Sequence, residues 1–278
     1  AYILAFDVAP GHDGQDVLFS LGLLRHAINQ KLRQERMESV FNEARRVQAS
    51  ILPKRAPAFH GFDIHGRTRT VQAVGGDFFD YIPITDKMLG LALADVAGHG
   101  LPAALQVRDI YVGLRMGLAR DYKIVRTVQR LNSIIHQSTL TSRFVSLFYG
   151  ELESSGVFIY VNAGHPPPFH LPASGPPRQL SEGGPVLGPL PKVTYERGFL
   201  RVESGDLFVF YTDGVVEAVR RNPDGYEEYG EERLLAAASR LRGRPASEIV
   251  DGIYEDIDRF TAGRAAEDDQ TLVVVAAP

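Results

Sequence analysis

Residues 74–100 read VGGDFFDYIPITDKMLGLALADVAGHG, and the rest of the chain is organised around them. The stretch holds two carboxylate turns, Gly75-Gly76-Asp77-Phe78-Phe79-Asp80 and Asp95-Val96-Ala97-Gly98-His99-Gly100. Between them lies an apolar run of strand length, residues 88–94. Each turn sets an aspartate where a strand meets glycine, so backbone can approach a ligand with no Cβ in the way. Two more acidic turns lie far along the chain. Tyr211-Thr212-Asp213-Gly214 follows the apolar run 207–210, and Asp268-Asp269-Gln270-Thr271 precedes the run 272–275. An aspartate before glycine is by itself an ordinary turn residue. Four such turns, each against a β-like run, point to one pole of a sheet structure where hard oxygen ligands converge.

Working outward, the upstream segment changes period. Leu21, Leu24, Ile28 and Leu32 recur at spacings of three and four, and Met37, Val40, Ala44, Val47 and Ile51 repeat the pattern in a second register until Pro53. The five-residue step from Leu32 to Met37 fits neither register. The pattern predicts a linker helix over 17–53 that dimerises as a coiled coil with one discontinuity; the alternative is a single amphipathic helix packed on the following domain. Residues 1–16, an apolar strand and a turn-rich stretch, read as the tail of an upstream domain. The chain has no initiator Met and is expected to be a piece of something longer.

Downstream, residues 59–71 and 74–96 read as strands, and 101–118 and 124–140 as helices with apolar spacing along one face. A hairpin turning at Ser154-Ser155-Gly156, a stiff Gly-Pro loop around His165, and strands at 199–202 and 207–211 come next. Helices at 231–241 and 247–260, the second with Ser247 as expected N-cap, precede a last strand at 272–276. Strands in two clusters, each followed by a helix pair, predict an α+β domain over 56–278 in which the pairs cover the faces of a central β-sandwich.

Composition narrows the chemistry. A chain of 278 residues with 44% hydrophobic and 23% charged residues is an ordinary globular protein. Its formal net charge of −4 argues against a nucleic-acid partner. The absence of cysteine excludes disulfides, thiol catalysis and thiolate zinc sites. No apolar run approaches the roughly 18 residues of a membrane span, and no basic region precedes the first apolar residues, so a cytoplasmic location without membrane insertion is expected. Clustered aspartates without histidine at ligand spacing suit Mg²⁺ or Mn²⁺. Two such ions would balance the carboxylates and activate water against an anionic substrate, for which phosphate monoesters are the natural class.

The motifs VGGDFFD, ADVAGHG, NAGHPPP, GDLFVFYTDGVVEA, YGEERL and DDQTLVVV, in this order, resemble the SpoIIE-like branch of the metal-dependent protein phosphatase (PPM) family over residues 56–276. The resemblance implies an αββα sandwich and hydrolysis of phosphoserine or phosphothreonine in a protein. It implies metal ligation by Asp77, Asp95 (bridging), the Val96 carbonyl, Asp213 and Asp268, with Asp80, Asp269 and His99 in supporting positions. His165 is expected to serve its loop structurally. The basic residue that grips phosphate in eukaryotic relatives has no counterpart in these motifs. The helix before Pro53 resembles the linker that leads into such phosphatases from sensors, and residues 1–30 resemble the end of a GAF-type domain. The branch further implies a phosphorylated STAS-domain anti-anti-sigma protein as partner, with a homodimer through the 17–53 helix. Two other readings stay open: a non-catalytic dimeric signalling module that only binds its partner, and a small-molecule phosphoesterase.

Overall fold

The computed structural model describes residues 11, 13–98, 100–118, 123–138, 144–223 and 225–278. The chain divides into two compact units, one up to Ala44 and one from Arg45 to Pro278, the division falling inside the first helix. That helix, α1, runs without interruption over Gly14–Ile51, through the step from Leu32 to Met37, and stops before Pro53. In the first unit it leaves Leu18, Phe19, Leu23, Leu24, Met37 and Val40 exposed.

The second unit continues with β1 (Asp63–Arg69), β2 (Asp77–Thr85), β3 (Met88–Val96), α2 (Leu101–Leu118), α3 (Ile124–Gln137), β4 (Val145–Glu153), β5 (Val157–Ala163) and β6 (Phe169–Leu171). Short strands β7 (Arg178–Gln179), β8 (Gly183–Gly184) and β9 (Gly198–Arg201) follow, then β10 (Leu207–Tyr211) and a single turn, α4 (Asp213–Val216). The chain closes with β11 (Val219–Asn222), β12 (Gly225–Glu228), α5 (Gly230–Leu241), α6 (Ala246–Phe260) and β13 (Gln270–Ala276).

Two antiparallel-based sheets face each other, one in the order β1-β13-β10-β6-β7 and the other β2-β3-β4-β5-β8, with β9 on β5. Strand alternation sorts their residues into three cores. On β10 and β13, Phe208, Phe210, Val273 and Val275 face the space between the sheets, where they meet Phe79, Leu91, Phe148 and Phe158. Their neighbours Val209, Tyr211, Leu272 and Val274 face outward under Leu234, Ile249, Val250 and Ile253 of α5 and α6. On the other sheet Phe78, Ala94, Leu147 and Val161 lie under Val107, Ile110, Leu114, Val128 and Leu131 of α2 and α3. Because both faces of these strands are covered, they read in sequence as unbroken apolar runs. The expected sandwich with a helix pair on each outer face is the observed architecture.

Two local expectations change. The α6 N-terminus is not capped by Ser247. The helix begins one residue earlier, and the Ala246 amide donates to Asp63 Oδ2 of β1 at 2.6 Å. A carboxylate brought in by tertiary structure thus satisfies an amide that a local cap would otherwise take. The β11–β12 hairpin, between Asp213 and α5, went unanticipated because VRRN and GYEE carry almost no apolar signal. Among the described residues no helix is long and apolar enough to cross a membrane.

Candidate metal centre

Asp77 and Asp95 are direct partners across the β2–β3 ladder. Asp77 is buried, and its Oδ2 accepts hydrogen bonds from Thr212 Oγ1 at 2.8 Å and Thr271 Oγ1 at 2.6 Å. Thr271 lies in β13 and Thr212 directly follows β10, both of the opposite sheet, so this carboxylate bridges the sandwich. Burial, and after it the charge of Asp95, hold the Asp77 carboxyl well above the usual range, against the lowering effect of the two hydroxyls. Asp95 is pushed up to about 7, by burial first and then by Asp213, Asp268, Asp269 and Glu217. Four carboxylates from two distant turns therefore act on Asp95, which is how the four acidic turns of the sequence come to share one pole.

Asp213 heads α4 and accepts the Gly214 amide at 2.9 Å; burial and then Asp268 raise its carboxyl. Asp268 is exposed, and its Oδ1 accepts the Asp269 amide at 2.8 Å. Asp269 is buried and turned the other way. Its Oδ1 accepts the Val71 amide at 2.8 Å and its Oδ2 the Gly76 amide at 2.9 Å, so it holds the loop that leads into β2. A Cβ at Gly75 would stand 2.1 Å from Asp269 Oδ2, and one at Gly214 would stand 2.2 Å from the Asp269 carbonyl oxygen. Only glycine fits at either place.

Gly76 opens the centre itself. The position a Cβ would occupy there lies 2.7 Å from the Val96 carbonyl oxygen, 3.2 Å from Asp95 Oδ1 and 3.2 Å from the Gly98 carbonyl oxygen. An all-oxygen cradle of this kind fits a hard divalent cation and offers nothing to a thiophilic one. A cleft of about 150 Å³ lined by Asp95, Val96, Asp268 and Asp269 adjoins it. A larger one of about 490 Å³, lined by Arg69, Glu217, Arg264 and Asp268 among others, shares Asp268 with it. Among the described residues no three His, Cys, Asp or Glu side chains stand grouped so as to hold a metal ion as they are.

Asp80 does not share this pole. Three residues along β2 from Asp77, it points to the opposite face, beneath α2, where it is buried in an ion pair with Arg115. The expectation of a supporting place at the metal is corrected by strand alternation. His99 lies outside the described residues. His165 is buried, its Nδ1 within 2.8 Å of Ser146 Oγ and its amide donating to Asn162 Oδ1; burial lowers its ring to about 3, so it stays neutral and serves its loop. Four contributors were missed. Thr212 and Thr271 sit inside the quoted YTDG and DDQT motifs, and Glu217 follows Asp213 by four residues, so each had a local signal. Gln48, whose amide bonds to Gly75, had none.

The family model described as Stage II sporulation protein E (SpoIIE) matches residues 85–278. The chain is 27% identical to the phosphoserine phosphatase RsbU of Bacillus subtilis over 244 residues, 87% of this chain and 71% of that protein. It is 26% identical to protein IcfG of Synechocystis over 295 residues, 94% of this chain, and spans 45% of the relative's length. Among solved structures, the RsbU and RsbW domains of Rv1364c from Mycobacterium tuberculosis superpose with a TM-score of 0.70 at 27% identity, covering 82% of this chain and 64% of that one. The SiaA-PP2C domain of Pseudomonas aeruginosa superposes with a TM-score of 0.77 at 15% identity, covering 88% and 99%.

Proposed function

Since the chain belongs to the SpoIIE family, we propose that it is a metal-dependent phosphatase acting on phosphoserine or phosphothreonine in a protein. The observation that carries the reading is the Gly76 cradle beside an Asp95 on which Asp213, Asp268, Asp269 and Glu217 all act. Asp77, Asp95, Asp213, Asp268 and the Val96 carbonyl are the residues that would hold two divalent ions, Mn²⁺ or Mg²⁺. When bound, the ions supply charge neutralisation for a phosphate and an activated water. The protein's part is to keep Asp77 fixed between two threonine hydroxyls and to keep Asp269 off the metals, as a strap on the loop before β2. A magnesium complex of RsbX, whose fold this chain shares at a TM-score of 0.58, supports the same metal class.

The substrate we infer is a phosphorylated STAS-domain protein in a partner-switching pathway, and the chain works as a homodimer through the 17–53 helix under an upstream sensor. Support comes from the likeness to RsbU and to a chain that carries RsbU and RsbW domains together. The row of exposed apolar side chains on α1 supports the dimer.

The deciding assay is phosphate release from a serine-phosphorylated STAS-domain protein with Mn²⁺, Mg²⁺ or EDTA, wild type beside Asp213→Asn. Metal-dependent turnover in the wild type, lost in the variant, is the expected result. Metal binding without turnover would favour a module that only binds its partner. Faster turnover of a small aryl phosphate than of the phosphoprotein would favour a small-molecule phosphoesterase.

A further inference from the structure

Of the whole length of α1, Gln48 alone is buried. It lies in the second unit, close to the helix end, and its side chain reaches 27 residues along the chain. Its Nε2 donates to the Gly75 carbonyl at 2.7 Å, and its Oε1 accepts the Gly75 amide at 3.1 Å. One side-chain amide thus occupies both backbone groups of one residue, as a neighbouring strand would.

The residues that follow are held in turn by the centre. The Gly76 amide donates to Asp269 Oδ2, and the Gly76 carbonyl accepts the Val96 amide at 3.2 Å. Asp77 is gripped by Thr212 and Thr271. Two successive glycines have more backbone freedom to lose than any other pair, and neither brings a side chain to anchor itself. The turn that aims Asp77 and makes room for Val96 O must therefore be fixed from outside, and Gln48 fixes its first residue.

We propose that Gln48 is a positioning residue for the metal centre, coupling the end of α1 to the Gly75-Gly76 turn and through it to metal affinity. The proposal rests on the metal-site reading above and adds the means by which the helix acts on that site. A glutamine that merely satisfied its own polar atoms would matter for stability and leave metal affinity alone.

The test uses the full chain with Gln48→Met, which keeps length and helix propensity but loses both bonds, and Gln48→Glu, which keeps an acceptor and loses the donor. Gln179→Met, at an exposed residue bonded to Glu231, is the control. Circular dichroism establishes that each variant is folded. Amide hydrogen exchange at Gly75 and Gly76 is read in EDTA, and Mn²⁺ affinity by calorimetry.

Gln48→Met is expected to speed exchange at both glycines and to weaken Mn²⁺ binding roughly 10-fold or more, as loss of partners that orient ligands does. Gln48→Glu should still protect Gly75 better than Gln48→Met does, and the control should match wild type. In activity, the Mn²⁺ needed for half-maximal rate should rise while kcat at saturating Mn²⁺ returns. A folded Gln48→Met with wild-type exchange and Mn²⁺ affinity would overturn the proposal and leave the phosphatase reading standing. A wild type that binds metal without turnover would overturn the catalytic reading, while the titration still decides Gln48. A wild type that binds no divalent ion would overturn both.

Discussion

Thr212 and Thr271 donate to the same oxygen, Asp77 Oδ2, from opposite sides of the β10–β13 pair, and the Thr271 amide donates to Thr212 Oγ1 at 2.9 Å. Thr68 on β1 completes the row, its Oγ1 lying 2.9 Å from Thr271 Oγ1. One sheet thus offers a line of hydroxyls to a carboxylate on the other.

Replacing either threonine by valine removes a hydrogen bond to a buried carboxyl group while keeping the side-chain shape. Each variant should lose about 1–3 kcal/mol of stability, measured by urea denaturation in EDTA. Each should also need more Mn²⁺ for half-maximal activity, because an unsupported Asp77 holds its proton more tightly. The double variant should fall short of the sum, since the hydroxyls share one acceptor and the Thr271 amide donates to Thr212 Oγ1.

Proton binding at Asp95 gives a pH prediction. Its carboxyl is pushed up to about 7 in the folded protein, while in the unfolded chain it titrates near the ordinary aspartate value of about 4. Between those limits the unfolded state has already released the proton that the folded state still holds. The stability this provides is therefore complete below about pH 4 and is lost as pH rises toward about 7. In EDTA, denaturation midpoints should show this falling component, and Asp95→Asn should remove most of it. With metal present the sign reverses, because the ion displaces the proton: apparent Mn²⁺ affinity should rise with pH up to about 7 and then level off.

Asp80 and Arg115 make the opposite forecast about metal. Arg115→Met leaves a buried carboxylate without its cation and should cost roughly 1–3 kcal/mol, less than a fully buried pair because Arg115 is partly exposed. Adding Asp80→Asn should recover part of that loss. Neither change should shift Mn²⁺ affinity appreciably in calorimetry; a large shift would return Asp80 to the metal centre.

The proposed dimer through α1 is open to sedimentation. Leu24 and Ile28 are exposed on one stripe of the helix. Changing both to aspartate should turn a dimer into a monomer at micromolar concentration, with the circular dichroism of the second unit's sandwich unchanged.

Much of the fold was legible because strands covered on both faces leave long apolar runs, as in Leu207–Tyr211 and Gln270–Ala276, and because α3 and α6 carry clean one-sided spacing. The four acidic turns were legible for the same reason: each abuts such a run. What stayed hidden depends on direction or distance. A motif with two aspartates does not say that Asp77 and Asp80 lie on opposite faces of one strand. Nor does a polar helix reveal that Gln48 meets Gly75, or the first turn of α6 that Asp63 serves its amide.

The place of β13 carries a consequence for biogenesis. It lies between β1 and β10, pairing Asp63 with Ala276 and Tyr211 with Leu272, so β1 must wait for a partner made some 200 residues later. On the ribosome, the sheet that supplies Thr212, Asp213, Asp268 and Thr271 cannot close until that strand has emerged. Until β13 docks, Thr271 cannot reach Asp77, and the apolar strand β10 keeps an open edge that chaperones can recognise.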